Sequence, residues 1–171
     1  MERIRALRMA NTDELTGLLN RTAFRKIVTE YITENSSADT AMVFLDIDHF
    51  KSINDILGHA AGDEAVKEVS EILKTAFRSG DPVARIGGDE FLIFIPHAKE
   101  ADLETRLKRL LQDVHVTKYS DDNEKVTLSM SVGCIICAGQ NMTCEELTGA
   151  ADKLMYEAKS AGRDRLVIKT V

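Results

Sequence analysis

Two adjacent carboxylates interrupt an apolar run near the middle of the chain. The stretch from Ala84 to Phe94 reads ARIGGDEFLIF, and Asp89 and Glu90 directly follow two glycines. Apolar runs on both sides of such a break are typical of two strands joined by a hairpin. Gly87 and Gly88 can supply the positive φ angles of a tight turn, and a backbone without Cβ would also let a phosphate come close.

A second acidic point ends the apolar segment AMVFLDID, where Asp46 and Asp48 alternate with Ile47. If this strand and the hairpin are neighbours in one sheet, the two acidic points meet at one edge and repel each other unless a cation lies between them. Such oxygen ligands suit Mg²⁺, which leaves its other positions to water and phosphates. A site of this kind would suit two-metal phosphoryl or nucleotidyl transfer, but acids in such short patterns are more often turn residues or helix caps.

Composition limits the classes of protein that this chain can represent. Its 171 residues are 44% apolar and 29% charged, which predicts one globular domain. The net charge of -6 argues against nucleic-acid binding and membrane-surface contact, which both need a basic face. We expect a cytosolic location, because no apolar run reaches the length of a membrane span and MERIRALRMA lacks a signal-peptide core.

Three cysteines are an odd set without zinc spacing, so they are predicted to be small core residues: Cys134, Cys137 and Cys144. Residues 1–10 are interpreted as the end of a linker helix from an upstream sensor domain, with a local helical cap as the alternative. Residues 11–171 are predicted to form the domain itself.

The order of apolar patterns predicts an α+β fold with a ferredoxin-like or palm-like β-α-β-β-α-β core. A central antiparallel sheet is expected to be flanked by helices, with an added helix and strand after it. The segment SINDILGHAAGD is interpreted as a loop, residues 114–116 as a short strand and VTLSMSVGCII as one longer strand. Gly162 is expected to end the last helix.

Four motifs together resemble the GGDEF family of diguanylate cyclases. They are DELTGLLNR, FLDIDHFKSINDILGHAAGD, RIGGDEF and ADKLMYEAKSAGRDR, in family order over about residues 11–170. The resemblance implies that two GTP molecules condense to cyclic di-GMP with release of two pyrophosphates. Each domain would hold one GTP and a homodimer would be the active unit, so that proximity replaces an encounter of two free nucleotides.

The resemblance also implies the metal ligands. Asp46 matches one metal-binding aspartate, beside the main-chain carbonyl of Ile47, and Asp89 matches the second. Glu90 matches an acid that assists metal binding or deprotonates the 3′-hydroxyl. Two Mg²⁺ ions per GTP site are expected, with Mn²⁺ as the alternative metal.

Further family positions imply contacts to GTP. Asn54 and Asp63 match the guanine-reading pair, and a carboxylate can accept from the N1–H that adenine lacks. For Asp63 the alternative is an N-cap of the following helix. The main-chain amides of residues 49–51 resemble a triphosphate cradle at a helix start. That cradle comprises His49, Phe50 and Lys51.

Two more pairs of residues match family sites. Lys159 and Arg163 match contacts to the terminal phosphates, although such a pair is also common at a solvated helix end. Arg78 and Asp81 fit an RxxD inhibitory motif that would bind the product cyclic di-GMP. Arg109, or Arg106 beside it, is expected to complete that inhibitory site.

Two alternatives to an active diguanylate cyclase remain open. One is a catalytically silent domain that binds GTP or cyclic di-GMP for a partner protein. Another is a nucleotidyltransferase or purine cyclase that shares the palm-like core but would not need RSGDP. The asparagine common after Gly-Arg in the family is replaced by Asp164.

Overall fold

The computed structural model describes residues 11–115, 118–121 and 124–171. The linker helix expected for residues 1–10 lies outside the described residues, as does Val116 of the short strand expected at 114–116.

Five strands form one mixed sheet in the order β2-β3-β1-β6-β7, and two further strands form a separate hairpin, β4-β5. The strands are β1 (Thr40–Ile47), β2 (Val83–Arg85), β3 (Glu90–Pro96), β4 (Lys118–Asp121), β5 (Glu124–Thr127), β6 (Met130–Cys137) and β7 (Arg165–Thr170). The core strands β2, β3, β1 and β6 are antiparallel, as predicted, whereas the added strand β7 runs parallel to β6.

Helices cover both faces of this sheet. The helices are α1 (Arg21–Glu34), α2 (Phe50–Leu57), α3 (His59–Ala76), α4 (Glu100–His115) and α5 (Cys144–Ser160). Among the residues that the structure describes, no helix combines the length and the hydropathy of a membrane span.

The central strand β1 is buried along its whole length because it has apolar cover on each face. Alternate side chains, such as Val43 and Leu45, pack into a core under α3 and α4. Met42 and Phe44 point the other way, into a core under α1 and α5. The three cysteines are buried without a disulfide, which confirms their interpretation as core residues.

Three local predictions were wrong. Most of the segment read as a loop, SINDILGHAAGD, is helical, since α2 and α3 are separated only by Gly58, whose φ of 87° permits the sharp change of direction. Val114 belongs to α4, where its side chain is buried against the core. The expected long strand is divided between β5 and β6, with Leu128 and Ser129 between them.

Capping fixes the register of α5, the helix that carries Lys159. Thr143 and Glu146 form a reciprocal capping box at its start. Its end is followed by Gly162 with a φ of 118°, as the sequence predicted. A defined start and a defined stop leave little freedom in where the last turn of α5 meets the sheet.

Candidate active site

The two acidic points lie side by side at one edge of the sheet. Asp46, near the end of β1, is paired in register with Glu90, the first residue of β3. The amide of Ile47 donates a hydrogen bond to the main-chain carbonyl of Asp89 at 3.1 Å. The pairing of β1 with β3 therefore brings the three carboxylates together.

Asp46 is the buried member of this group, with 5% of its surface exposed. The ammonium of Lys159 lies 2.9 Å from its Oδ1 atom. The pKa of Asp46 is raised to about 6: burial is the largest cause, the charges of Asp89 and Glu90 act in the same direction, and Lys159 opposes them. A carboxylate in this state would gain from an additional cation.

The hairpin carboxylates share this environment. Burial raises the pKa of Asp89, against the opposing charges of Lys159 and Arg85. The prediction that Gly87 and Gly88 supply positive φ angles was wrong, because neither glycine has a positive φ. A Cβ atom at Gly87 would lie 2.5 Å from Oε2 of Glu90, so the end of that side chain would have to shift, whereas a Cβ at Gly88 would meet nothing within 4 Å.

The donors at this edge fit a magnesium site. They are carboxylate and carbonyl oxygens around a buried negative charge, the ligand set that Mg²⁺ prefers. Within the described ranges, no three His, Cys, Asp or Glu side chains form a ready-made metal cage. Mg²⁺ normally takes one or two protein carboxylates and fills its remaining positions with ligands from outside the protein, such as water, so the arrangement fits such an ion.

Arg85 holds the hairpin in place, a role that the sequence reasoning missed. Its guanidinium donates to the carbonyl of Gly88 from Nη2 at 2.9 Å. Its Nη1 atom also contacts both carboxylate oxygens of Asp13, at 3.1 and 3.2 Å. In the sequence, Asp13 begins the DELTGLLNR motif and Arg85 begins the RIGGDEF motif. Their presence in two motifs was the one sequence signal that they could form a pair. Arg21, from the same motif, donates to the carbonyl of Ile86 at 2.8 Å.

The proposed guanine readers come together where α2 meets α3. A Cβ atom at Gly62 would overlap Oδ1 of Asn54, so the asparagine side chain rests directly against the residue before Asp63. The N-cap of α3 is Gly58, and Asp63 lies in the helix beyond its first turn. The N-cap alternative for Asp63 was therefore wrong, and its carboxylate is exposed.

The segment expected to cradle phosphates begins α2. His49 is its N-cap residue in a left-handed conformation, with a φ of 55°, and its side chain makes no capping hydrogen bond. The first amides of α2, from Phe50 and Lys51, are therefore left without a side-chain cap. Uncapped amides at a helix start favour an anion.

Lys159 and Arg163 are separated by the end of α5. Lys159 lies in the last turn and reaches Asp46. Arg163 lies beyond the helix, with a φ of 63°, in a turn that is hydrogen-bonded to Asp48 through the amide of Asp164. Lys159 therefore contacts β1 with its side chain, whereas Arg163 is linked to the end of β1 only through the main chain of its turn.

The residues predicted for product inhibition border a separate groove of about 160 Å³. Asp81 accepts a hydrogen bond from the amide of Arg78 at 3.1 Å and pairs with Arg106 at 3.2 Å. Arg106 also lies over the ring of Phe77. Arg109 faces the adjoining groove, where it approaches Asp113 at 3.8 Å. Of the two arginines considered, Arg106 is the one that contacts the RxxD motif.

Comparison with known proteins agrees with this geometry. The family model described as "Diguanylate cyclase, GGDEF domain" matches residues 10–165. The chain belongs to the GGDEF domain family. A solved structure of the GGDEF domain of DgcB from Caulobacter crescentus, in complex with cyclic di-GMP, is 28% identical to it, with a TM-score of 0.87 over 93% of this chain and 95% of that one.

Relatives of this GGDEF domain carry two kinds of name. Diguanylate cyclase DgcP from Pseudomonas aeruginosa is 35% identical over 93% of the chain and 24% of its own length. Cyclic di-GMP phosphodiesterase NbdA from the same organism is 36% identical over 91% of the chain and 20% of its own length. The chain spans less than half of the length of these relatives.

Proposed function

We propose that this GGDEF domain is a diguanylate cyclase that condenses two GTP molecules into cyclic di-GMP and two pyrophosphates. The observation that carries the proposal is the edge of the sheet where Asp46, Asp89 and Glu90 converge beside Lys159. A domain that had lost catalysis would not need to keep three repelling carboxylates together. The family membership supplies the substrate class, since the matched family model is that of diguanylate cyclases.

In the proposed reaction, the 3′-hydroxyl oxygen of each GTP attacks the α-phosphorus of the other. A P–O bond forms, the bond to the pyrophosphate breaks, and the hydroxyl proton leaves toward a base. Glu90 is suited to receive that proton because it lies at the start of β3, directly opposite Asp46.

Mg²⁺ would be held by Asp46, the Ile47 carbonyl, Asp89 and Glu90, two ions to a site with Mn²⁺ as the alternative. When bound, these ions would polarise the α-phosphate and offset the charge on the departing pyrophosphate. Lys159 supports the same charge from the protein, since its ammonium already lies at the carboxylates.

The remaining contacts to GTP are assigned to α2, α3 and the turn after α5. Asn54 and the exposed carboxylate of Asp63 would read guanine from the junction of α2 and α3. The amides of residues 49–51 would bind phosphate oxygens at the uncapped start of α2. Arg163 would contact the terminal phosphate from the turn after α5. GTP is therefore preferred over ATP.

A single site cannot complete the reaction, because it would hold one GTP, and each GTP supplies the attacking 3′-hydroxyl for one new bond and the α-phosphate for the other. Two domains must face each other, so the active unit is proposed to be a homodimer. An upstream sensor domain in a longer protein would control activity by bringing the two domains together. Cyclic di-GMP would inhibit by binding at Arg78, Asp81 and the arginines of α4, Arg106 and Arg109.

The test is product formation from GTP and Mg²⁺, measured by chromatography with mass detection after bound cyclic di-GMP has been stripped. Cyclic di-GMP should rise more than linearly with protein concentration and be absent with Asp89→Ala. Asp39→Ala is the matched control, because Asp39 is exposed just before the opposite end of β1. Equal rates for Asp89→Ala and Asp39→Ala would refute the assignment.

A second candidate is a silent receptor for GTP or cyclic di-GMP. It is favoured by the similarity to NbdA, a relative named as a phosphodiesterase. A chain fused to a dimerising helix that still forms no product, yet binds either nucleotide in a titration, would establish this alternative.

A further inference from the structure

Asp48 is buried at the end of β1 and accepts three hydrogen bonds. Only 4% of its surface is exposed. The hydroxyls of Ser129 and Ser131 donate to it at 2.8 and 2.6 Å, and the main-chain amide of Asp164 donates at 3.0 Å. Its carboxylate is thus fully engaged within the protein and is not a spare metal ligand beside Asp46.

The hydrogen bond from the amide of Asp164 connects Asp48 to a turn with unfavourable backbone angles. Gly162, Arg163 and Asp164 follow one another with φ angles of 118°, 63° and 47°. Glycine adopts such angles freely, but arginine, and to a smaller extent aspartate, adopt them only with backbone strain. A turn of this kind persists only where its surroundings hold it, and the described contacts to it include the carboxylate of Asp48.

The same turn carries Arg163, which the proposed function assigns to the terminal phosphate. Asp48 lies two residues after Asp46, so its hydrogen bond attaches the turn to the strand end that presents the metal-binding carboxylate. On the other side, Arg163 donates its amide to the carbonyl of Ala158 at 3.0 Å, which ties the turn to the last turn of α5. The turn is therefore fixed between Lys159's helix and Asp46's strand.

We propose that Asp48 is a positioning residue for triphosphate recognition: it holds the turn at residues 162–164 so that Arg163 faces the terminal phosphate of the bound nucleotide. The inference rests on the proposed function, because it needs a GTP triphosphate at this edge. Asp48 itself touches no substrate in this assignment. Its contribution is to the affinity for the β- and γ-phosphates and not to the chemical step.

Asp48→Asn is the sharpest substitution. The asparagine has the same shape, and its carbonyl oxygen can take the place of Oδ2, which accepts from both Ser129 and the amide of Asp164. These bonds would then be made to a neutral amide oxygen, and because hydrogen bonds to a carboxylate are stronger, the anchor of the turn is weakened. Ser129→Ala is the matched control because it removes a bond to the same carboxylate while leaving the Asp164 amide bonded.

The experiment compares two probes by calorimetric titration with Mg²⁺: a GTP analogue with a methylene bridge between its α- and β-phosphates, and GMP. Asp48→Asn should weaken the analogue about tenfold, the scale of one charge-assisted hydrogen bond. GMP should bind as to the wild type, because it has no β- or γ-phosphate. In cyclase assays the KM for GTP should rise with kcat changed less. In an Arg163→Ala background, Asp48→Asn should add less than about twofold.

Three results would overturn the role of Asp48. They are an affinity for the analogue that Asp48→Asn leaves unchanged, an equal loss of affinity for GMP, or losses of affinity from Asp48→Asn and Arg163→Ala that multiply in the double variant. Should Asp48→Asn fail to fold, hydrogen exchange of the Asp164 amide in the wild type decides instead, since exchange as fast as in an open loop contradicts the anchor. Wild-type protein that binds neither probe would refute the proposed function itself. A wild-type preference for the triphosphate over GMP that Asp48→Asn leaves undiminished would refute only this inference.

Discussion

The ammonium of Lys159 lies 2.9 Å from Oδ1 of Asp46, against a carboxylate that β1 has carried almost entirely out of solvent. This contact does not fully offset the cost of burial, because the pKa of Asp46 is still raised to about 6. The site thus holds an excess of negative charge when no substrate is present. An arriving cation would relieve that excess and leave Lys159 available to phosphate oxygens.

Asp46→Asn should therefore abolish cyclase activity and stabilise the metal-free fold. The raised pKa means that the folded protein holds a proton that the unfolded chain releases above about pH 4, so the free energy of unfolding falls as the pH rises toward about 6. A shift of the pKa from 3.8 to about 6 corresponds to a cost on the order of 3 kcal/mol near neutral pH, and the substitution should remove about 1 to 2 kcal/mol of it. Urea unfolding without Mg²⁺ measures the difference.

The pH dependence provides the control for this prediction. At about pH 4.5 the wild-type Asp46 is protonated in the folded state, so the advantage of Asp46→Asn should shrink to less than half. Asp39→Asn, exposed just before the opposite end of β1, should stay within about 0.5 kcal/mol of the wild type at both pH values. An Asp46→Asn protein less stable than the wild type at neutral pH would contradict the electrostatic account.

Gly62→Ala should impair guanine binding selectively. The added methyl would overlap Oδ1 of Asn54 and displace it from its place beside Asp63. Affinity for GTP should fall about tenfold or more, and discrimination against ATP should narrow, because the loss falls on base recognition. Nucleotide titrations of both GTP and ATP measure it.

Gly149→Ala is the control for this glycine. Gly149 lies inside α5, where an added Cβ meets nothing within 4 Å. Alanine there should stabilise the helix by about 0.5 to 1 kcal/mol and leave GTP affinity unchanged. If Gly62→Ala bound GTP as well as Gly149→Ala does, Asn54 and Asp63 would not be the guanine readers.

The sequence predicted the parts of the fold that depend on local pattern. Apolar runs around the two glycines predicted the hairpin, and the apolar run in AMVFLDID predicted a buried strand. The convergence of Asp46 with Asp89 could therefore be anticipated. The parts that failed depend on long-range contacts or on single backbone angles. The break between α2 and α3 rests on one glycine angle, and the parallel pairing of β7 is decided by topology, which local periodicity does not encode.

The supporting residues of the site show the same division. Asp48 has the same residue type and strand position as a metal ligand, yet its partners come from Ser129, Ser131 and the amide of Asp164, all more than 80 residues away. Arg85 contacts Asp13 across 72 residues. No spacing rule within a motif can reveal such pairs, because only the folded sheet brings them together.

Arg78→Ala should relieve inhibition by cyclic di-GMP without changing the initial rate by more than about twofold. Arg78 lines a groove together with Asp81 and Arg106, and none of the three carboxylates of the candidate active site lines that groove. Arginine can bind guanine or phosphate in a bidentate manner, so its loss should weaken product binding about tenfold or more. Rates at increasing cyclic di-GMP measure the effect, and Arg25→Ala, an exposed arginine of α1, is the control. Unchanged inhibition in Arg78→Ala would exclude this groove as the inhibitory site.

Arg85→Lys should destabilise the domain and slow catalysis, although it preserves the charge. The guanidinium contacts Asp13 and the Gly88 carbonyl at the same time, and an ammonium cannot reproduce both contacts. Partial burial acts to raise the pKa of Asp13, but hydrogen bonds from Thr16 and Arg85 lower it overall. The stability that this pair contributes is therefore present above about pH 4 and is lost as the pH falls through the lowered pKa.

The expected loss is about 1 to 3 kcal/mol in urea unfolding near neutral pH, with at least a tenfold fall in cyclic di-GMP formation. The rate should fall because Gly88 precedes Asp89, so a looser hairpin displaces a metal-binding carboxylate. Arg25→Lys is the matched control, since its pair with Glu145 is exposed and should contribute less than about 0.5 kcal/mol. In a double-mutant cycle, Asp13→Asn and Arg85→Lys should show a coupling energy of about 1 kcal/mol or more. Additive effects, or a cyclase rate in Arg85→Lys equal to that of Arg25→Lys, would mean that the Asp13–Arg85 pair does not hold the catalytic hairpin.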